Sequence, residues 1–276
     1  MGKFSGCLLL ADIDNTLVEA GVGKIPKRNI EAIRYFTEGG GLFSVATGRC
    51  LASALPTHII AGGNTLLLCS NGGTLYDPVA DEVAYRENLC EEDKRLFLRI
   101  AAEFPDCAAE VQDGADVYLI NDCPVAHWHA KYEGVETLPA GDIGELLKKD
   151  WSKGIFLFDD AEEKAKVKRF AESLTPTDAV YVDTAAGDGV HVFFEFHPRL
   201  SNKGDGALKL KEIMGARLLC SIGDYDNDIP MLKAADVSAC VSESPDTVKS
   251  VVDYVTCSCA EGAVADFIYY IEKLNK

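Results

Sequence analysis

Short apolar runs punctuate the chain, and each ends in polar or glycine-rich sequence. Cys7–Ala11 reads Cys-Leu-Leu-Leu-Ala and is closed by Asp12. A run this short with no alternation fits a strand buried on both faces of a parallel sheet. Pro26 opens a helix whose apolar positions Ile30, Ile33 and Phe36 recur every three residues, and Gly39-Gly40-Gly41 stops it. Residues 42–46 and 65–69 read as further strands, the second closing on Asn71-Gly72-Gly73. Strand, helix and strand at these lengths form a βαβ unit, and consecutive units build a parallel α/β sheet of the Rossmann-like kind. The C-terminal stretch repeats the idiom. A helix is expected over 208–214, a strand over 217–222, and short strands at 239–241 and 254–255 around a helix at 246–251.

The middle of the chain follows another pattern. Residues 91–104 form a charged amphipathic helix, and the alternating runs 107–111 and 116–120 flank Asp113-Gly114, a hairpin signal. A strand at 155–158 and a Lys/Glu-rich helix at 161–174 come next. Runs 180–183 and 190–196 make a second hairpin around Gly187-Asp188-Gly189. Helix-then-hairpin twice over predicts an α+β module at residues 81–197, inserted into a discontinuous core of residues 1–80 and 198–276.

Composition adds limits. Of 276 residues, 47% are hydrophobic and 26% charged, enough apolar surface to rule out disorder for the bulk of the chain. Lys plus Arg is 27 and Asp plus Glu is 44, a formal charge of −17, which argues against nucleic acid and anionic membranes as partners. A small phosphorylated ligand stays admissible, because exposed charges are screened beyond roughly 8 Å at physiological salt. The longest apolar runs fall far short of the roughly 20 residues a membrane span needs. Neither a secretory signal nor a myristoylation pattern is expected, Gly6 standing where the latter wants Ser or Thr. Ten cysteines without a C-x-x-C pair read as reduced residues of a cytoplasmic protein, with Cys257-x-Cys259 a weak metal or redox hint.

Candidate chemistry gathers where predicted strands end, the place where open parallel sheets bind ligands. Asp12-Ile13-Asp14-Asn15-Thr16 follows the first strand, Thr47-Gly48-Arg49 the second, and Gly223-Asp224-Tyr225-Asp226-Asn227-Asp228 the strand near residue 220. Ser201-Asn202-Lys203-Gly204 supplies a cation where the insertion returns to the core. Two carboxylates about 4 Å apart repel by about 4 kcal/mol at an effective dielectric of 20. Converging Asp12, Asp14, Asp224 and Asp228 therefore call for a shared cation, and all-oxygen donors suit Mg2+. Asp12 and Asp224 are the expected carboxylate ligands, with Asp14 contributing its backbone carbonyl.

The order D-x-D-N-T, T-G-R, a lone Lys and G-D-x-x-N-D resembles the four motifs of haloacid dehalogenase superfamily phosphatases. The large insertion between the second and third motifs, and the Asn71-Gly72 turn, are similar to the Cof-type branch, which holds sugar-phosphate and related phosphatases. Asn15 departs from the Gly of many relatives. The resemblance implies a haloacid-dehalogenase-like core with a cap. It also implies Asp12 as nucleophile, Asp14 as general acid/base, Thr47 and Lys203 as phosphate clamps, and Asp224 as a metal ligand.

Physical chemistry accommodates these roles. Phosphoryl transfer needs an in-line nucleophile and stabilised equatorial oxygens. Asp12 attacks, and Asp14 protonates the leaving group and then deprotonates water. For the first step Asp14 has to hold a proton, which burial among other acids is expected to favour. Thr47 offers a hydroxyl, Gly48 lets the backbone approach an oxygen, Asn227 bonds the phosphate or Asp12, and Asp228 orients Lys203 or a water. The insertion is expected to close and exclude water.

The leading expectation is a Mg2+-dependent phosphatase acting on a small phosphorylated metabolite, a phosphomutase on the same scaffold being the alternative. A signalling receiver lacks the insertion and the G-D-x-x-N-D cluster, and a retired scaffold would not keep every chemical position intact. An EF-hand loop at Asp224 is rejected, since its sixth and twelfth positions are Ile229 and Ala235. His127-Trp128-His129 reads as a strand segment with both imidazoles on one face and no zinc spacing around it, and Arg49 as a partner for a second anion or for an acid.

Overall fold

The computed structural model describes residues 2–19, 23–174, 177–186 and 188–274. Gly187, in the turn expected at Gly187-Asp188-Gly189, lies outside the described residues. The chain divides into two compact units: Met1–Arg49, Ala54–Tyr85 and Ser201–Lys276 form the first, Cys50–Ser53 and Arg86–Leu200 the second.

The first unit begins with strand β1 (Cys7–Ala11), all five residues buried as its unbroken apolar run requires. Helix α1 (Lys27–Glu38) follows, capped by Pro26. It buries Asn29, Ala32, Ile33 and Phe36, and leaves Ile30 on the outside. A strict three-residue repeat drifts around a helix of 3.6 residues per turn, so the buried stripe runs through 29, 32/33 and 36 instead. Strand β2 (Leu42–Val45) precedes helix α2 (Leu51–Ala61), which the pattern did not signal.

Strand β3 (Leu67–Cys69) departs from expectation. It meets the parallel sheet at a single bridge, Ala46 to Leu68. Its main partner is β4 (Thr74–Asp77), antiparallel, and β5 (Glu82–Arg86) completes a three-stranded sheet. The reversal comes from three consecutive positive-φ residues, Ser70, Asn71 and Gly72.

The second unit continues with α3 (Glu91–Glu103), β6 (Ala108–Asp113), β7 (Asp116–Asn121) and α4 (Pro124–Glu133). After these come β8 (Thr137–Pro139), α5 (Ile143–Leu147), β9 (Lys153–Phe158), α6 (Ala161–Ser173), β10 (Val180–Ala185) and β11 (Val192–His197). The sheet order is β10-β11-β9-β6-β7-β8, antiparallel except between β7 and β8. One face carries Val111, Phe156, Phe158, Phe194 and Phe196 against Phe97, Ile100, Val167 and Ala171 of α3 and α6. Alternation turns Glu110, Gln112, Lys153 and Glu195 to the opposite face, all of them buried.

His127-Trp128-His129 lies on helix α4, not on a strand. Residues i and i+2 of a helix point about 200° apart, so the imidazoles separate. His129 is buried beside Glu110 at 3.2 Å, whereas His127 is exposed and pairs with Asp122 at 2.6 Å. Trp128 stacks on His191.

The chain then returns to the first unit through α7 (Lys203–Met214), β12 (Leu218–Gly223), α8 (Ile229–Ala234), β13 (Val237–Cys240), α9 (Asp246–Lys249), β14 (Tyr254–Val255) and α10 (Ala263–Leu274). These strands complete a five-stranded parallel sheet in the order β14-β13-β12-β1-β2. β1 therefore sits between β12 and β2, and the loops after all three leave the same edge of the sheet. All ten cysteines are free thiols, and the Cys7 and Cys220 sulfurs on neighbouring strands lie 3.5 Å apart.

Candidate active site

Asp12 is the first residue beyond β1, and its backbone N–H donates to Ile222 of β12 at 3.0 Å. The residue is 6% exposed, and its carboxylate accepts from Lys203 Nζ at 2.5 Å. The same ammonium donates to Asp228 Oδ1 at 2.6 Å. Lys203 is 1% exposed and opens helix α7, five residues ahead of the expected start. Asn202 caps that helix by accepting from the Asp205 N–H at 2.9 Å. Gly204 and Gly206 weaken the local helix signal. Gly206 is required by close approach, since a Cβ there would stand 2.8 Å from the Gly72 backbone.

Asp228 is fully buried and shapes the loop after β12. Its Oδ2 accepts from the backbone N–H groups of Asp224 at 2.9 Å and Tyr225 at 3.2 Å. Asp224 in turn accepts from Thr16 Oγ1 at 3.3 Å. Carboxylate oxygens of Asp12, Asp224 and Asp228 all lie within 4.8 Å of one another. Because both Asp228 oxygens already serve Lys203 and the loop, Asp12 and Asp224 are the carboxylates able to turn to a cation.

The electrostatics show what such a cluster lacks. Burial pushes the Asp12 carboxyl well above the ordinary range; Lys203 opposes this, while Asp228, Asp224 and Asp14 add to it. Burial and then the Asp228 charge raise Asp224 to about 7, again against Lys203. Burial favours a neutral Lys203 amine, but Asp12 and Asp228 outweigh it and hold the ammonium above its ordinary value. One ammonium thus faces three carboxylates. An all-oxygen donor set short of positive charge is what Mg2+ fits.

Thr47 is buried just past β2. Its oxygen accepts from the Arg49 N–H at 3.2 Å, so any bond it makes through its own hydrogen is as a donor. Its carbonyl accepts from the Asn71 N–H at 3.0 Å. Gly48 lies against the Asn71 side chain, where a Cβ would meet Oδ1 at 2.9 Å. The exposed Asn227 donates from its side-chain amide to Asn71 Oδ1 at 3.4 Å, where Asp12 or the phosphate was the expected partner.

Asp14 departs from the expected burial. Its side chain is 41% exposed and forms an ion pair with Arg49, Nη2 to Oδ1 at 2.6 Å and Nε to Oδ2 at 3.0 Å. The loop that carries it turns at Asn15 (φ 56°) and is closed by a bridge from Asp14 to Val18. Sequence reasoning left the Arg49 partner open and missed the Thr16 and Asn71 contacts. The Thr in D-x-D-N-T was a visible signal for the first, and the Asn-Gly turn for the second. A cleft of about 370 Å³ beside Asp224 is lined by Asn15, Glu19, Tyr225, Glu243 and Cys259 among others.

Comparison with known proteins gives this arrangement a lineage. The chain is 25% identical over 97% of its length to the chloroplastic endoribonuclease YBEY of Arabidopsis thaliana, of which it spans only 46%. It is 24% identical to the pyridoxal phosphate phosphatase YbhA of Escherichia coli, over 95% of this chain and 97% of that one. Among solved structures, a haloacid dehalogenase-like hydrolase from Bacteroides thetaiotaomicron shares the fold with a TM-score of 0.83, 23% identity, and coverage of 97% of this chain and 99% of the other. The sequence pattern of haloacid dehalogenase-like hydrolases matches residues 9–268, nearly end to end. The chain belongs to the haloacid dehalogenase-like hydrolases.

Proposed function

We propose that this enzyme is a Mg2+-dependent phosphatase that hydrolyses the phosphate monoester of a small metabolite, a sugar phosphate or a compound of similar size, through an aspartyl-phosphate. The carrying observation is the buried set Asp12, Lys203 and Asp228 with Asp224 beside it. Phosphatases among the relatives, YbhA included, support the reaction class. The acidic charge of −17 and the absence, among the described residues, of a helix able to cross a membrane agree with a cytoplasmic enzyme acting on small molecules rather than on nucleic acid.

Asp12 and Asp224 would hold the Mg2+, with the Asp14 backbone carbonyl completing the protein donors. When bound, the ion supplies positive charge against the phosphoryl oxygens. The remaining work belongs to the chain. Lys203 works against the burial that would protonate Asp12, a task the bound cation would share, and neutralises charge on the phosphoryl group. The Thr47 hydroxyl and the Gly48 backbone bind its oxygens. Asp12 attacks phosphorus as the ester oxygen leaves with a proton from Asp14, and Asp14 then takes a proton from the water that releases phosphate.

The test uses p-nitrophenyl phosphate and measures free phosphate. Asp12→Asn should lower turnover by at least about 10⁴-fold, and chelation should abolish activity until Mg2+ is restored. Undiminished hydrolysis in either case overturns the proposal. Transfer to an added sugar without phosphate release would reassign the enzyme as a mutase.

A further inference from the structure

Arg49 has no part in the reaction as written above, yet it makes the most specific contact of the proposed acid/base. Its guanidinium meets the Asp14 carboxylate at two points, 3.0 and 2.6 Å. The two side chains are 21% and 41% exposed. A pair that open to solvent adds little to stability. What the fork does achieve is geometric: two parallel bonds fix the plane of a carboxylate that a single contact would leave free to turn.

The arm that carries the fork is itself held. The Arg49 N–H donates to Thr47 Oγ1 at 3.2 Å, and its carbonyl accepts from the Ser70 N–H at 2.9 Å. Thr47 is the hydroxyl assigned to the phosphate. One short loop therefore presents a phosphate contact through its first residue and grips the acid/base through its third. The spacing between the phosphate and the proton donor is set within that loop.

Resting on the reading of Asp14 as acid/base, we propose that Arg49 is its positioning residue, holding the carboxyl group where proton transfer to the leaving oxygen is efficient. Arg49 exchanges no proton and stays charged throughout. In the first step the Asp12–phosphorus bond forms, the ester bond breaks, and the leaving oxygen takes the Asp14 proton. In the second, water bonds to phosphorus, the Asp12–phosphorus bond breaks, and the water proton goes to Asp14. Misplacing the proton donor by about 1 Å is enough to cost about 10²-fold.

Two aryl phosphates separate positioning from binding. Phenoxide is about as basic as a tyrosine side chain, with a pKa of about 10, and needs the proton. p-Nitrophenoxide is a much weaker base and leaves without it. With Mg2+ present, Arg49→Ala should lower kcat/KM about 100-fold for phenyl phosphate and less than about 5-fold for p-nitrophenyl phosphate. Arg49→Lys keeps the charge without the fork and should follow Arg49→Ala; it carries the test if the alanine variant fails to fold. Combining Arg49→Ala with Asp14→Asn should cost no more than Asp14→Asn alone. Equal losses on both substrates, or losses that multiply in the double variant, overturn the assignment and make Arg49 a binding residue. Asp12→Asn runs alongside: activity retained there overturns the phosphatase reading and this inference with it, while activity lost there confines any failure to Arg49.

Discussion

Each unit of this protein buries a cluster of charge, and the two clusters differ in balance. In the second unit, Lys153 meets Glu195 at 3.3 Å, and Glu195 also accepts from His197 at 2.6 Å and Thr184 at 2.5 Å. Glu110 pairs with His129. Burial would raise Glu195, but Lys153, His197 and Thr184 outweigh it and hold the carboxyl far below its ordinary value. Burial would lower His129, and Glu110 reverses that. Lys153, Glu195 and His129 all shift toward the charged form. In the first unit, Asp12 and Asp224 shift toward the neutral form despite Lys203. Burial of charge is common to both regions; a shortage of positive charge marks only the one where a cation is proposed. The lesson is that buried acids become diagnostic when their own surroundings fail to neutralise them.

That contrast can be broken experimentally, and the largest effect is expected at Lys203. Lys203→Met leaves Asp12, Asp224 and Asp228 without their ammonium, and kcat/KM for an aryl phosphate should fall about 10³-fold. A loss below about 10-fold would show that the ammonium is not needed for turnover.

The balanced cluster should answer in stability instead. Lys153→Met strands Glu195 in a buried site and should cost about 3 kcal/mol in denaturant unfolding. Adding Glu195→Gln to Lys153→Met should recover much of that. If the single variant is neutral, the charges of the second unit are not coupled as described.

The smallest effect is a difference in sign with pH. In metal-free protein Asp224 sits at about 7, against 3.8 for a free carboxyl. An acid raised on folding binds more protons folded than unfolded, so its contribution is full below about pH 4 and disappears as pH rises through 7. Glu195 is lowered on folding from 4.5, so its contribution is present above that value and disappears as pH falls below it. The chelated protein should therefore lose on the order of 2 kcal/mol between about pH 5 and 8. Mg2+ should restore the loss and Asp224→Asn should flatten the profile, both read by thermal melting. A chelated melting temperature that rises across this range contradicts the charge shortage.

How much of this was legible depended on whether a signal was local. β1 and its D-x-D loop were readable because a strand buried on both faces admits an unbroken apolar run and must stop at the first acid. The core's parallel character followed from the same idiom at β2 and β12. Helix α2 was hidden, with Pro56 in its interior and little amphipathic pattern. The start of α7 was masked by Gly204 and Gly206, whose reason is contact with a distant turn rather than helix propensity. α4 was misread as a strand because three aromatic or imidazole residues favour extended chain, and the Pro124 start signal was overlooked. Spacing alone left Arg49 two acceptable partners and could not choose Asp14. The exposure of Asp14 was not visible either, since it depends on how the loop folds around Asn15 and on the pairing with Arg49.

The turn at Ser70, Asn71 and Gly72 has a reach beyond its own hairpin. A Cβ at Gly72 would come within 2.1 Å of the Asn202 carbonyl oxygen, and the Ser201 hydroxyl bonds the Ser70 carbonyl at 3.0 Å. The segment that delivers Lys203 is thus seated on a left-handed corner some 130 residues upstream, outside all four chemical motifs. Transplanting the motifs onto another backbone without that corner would carry over the reacting groups and lose the seat that aims their one ammonium.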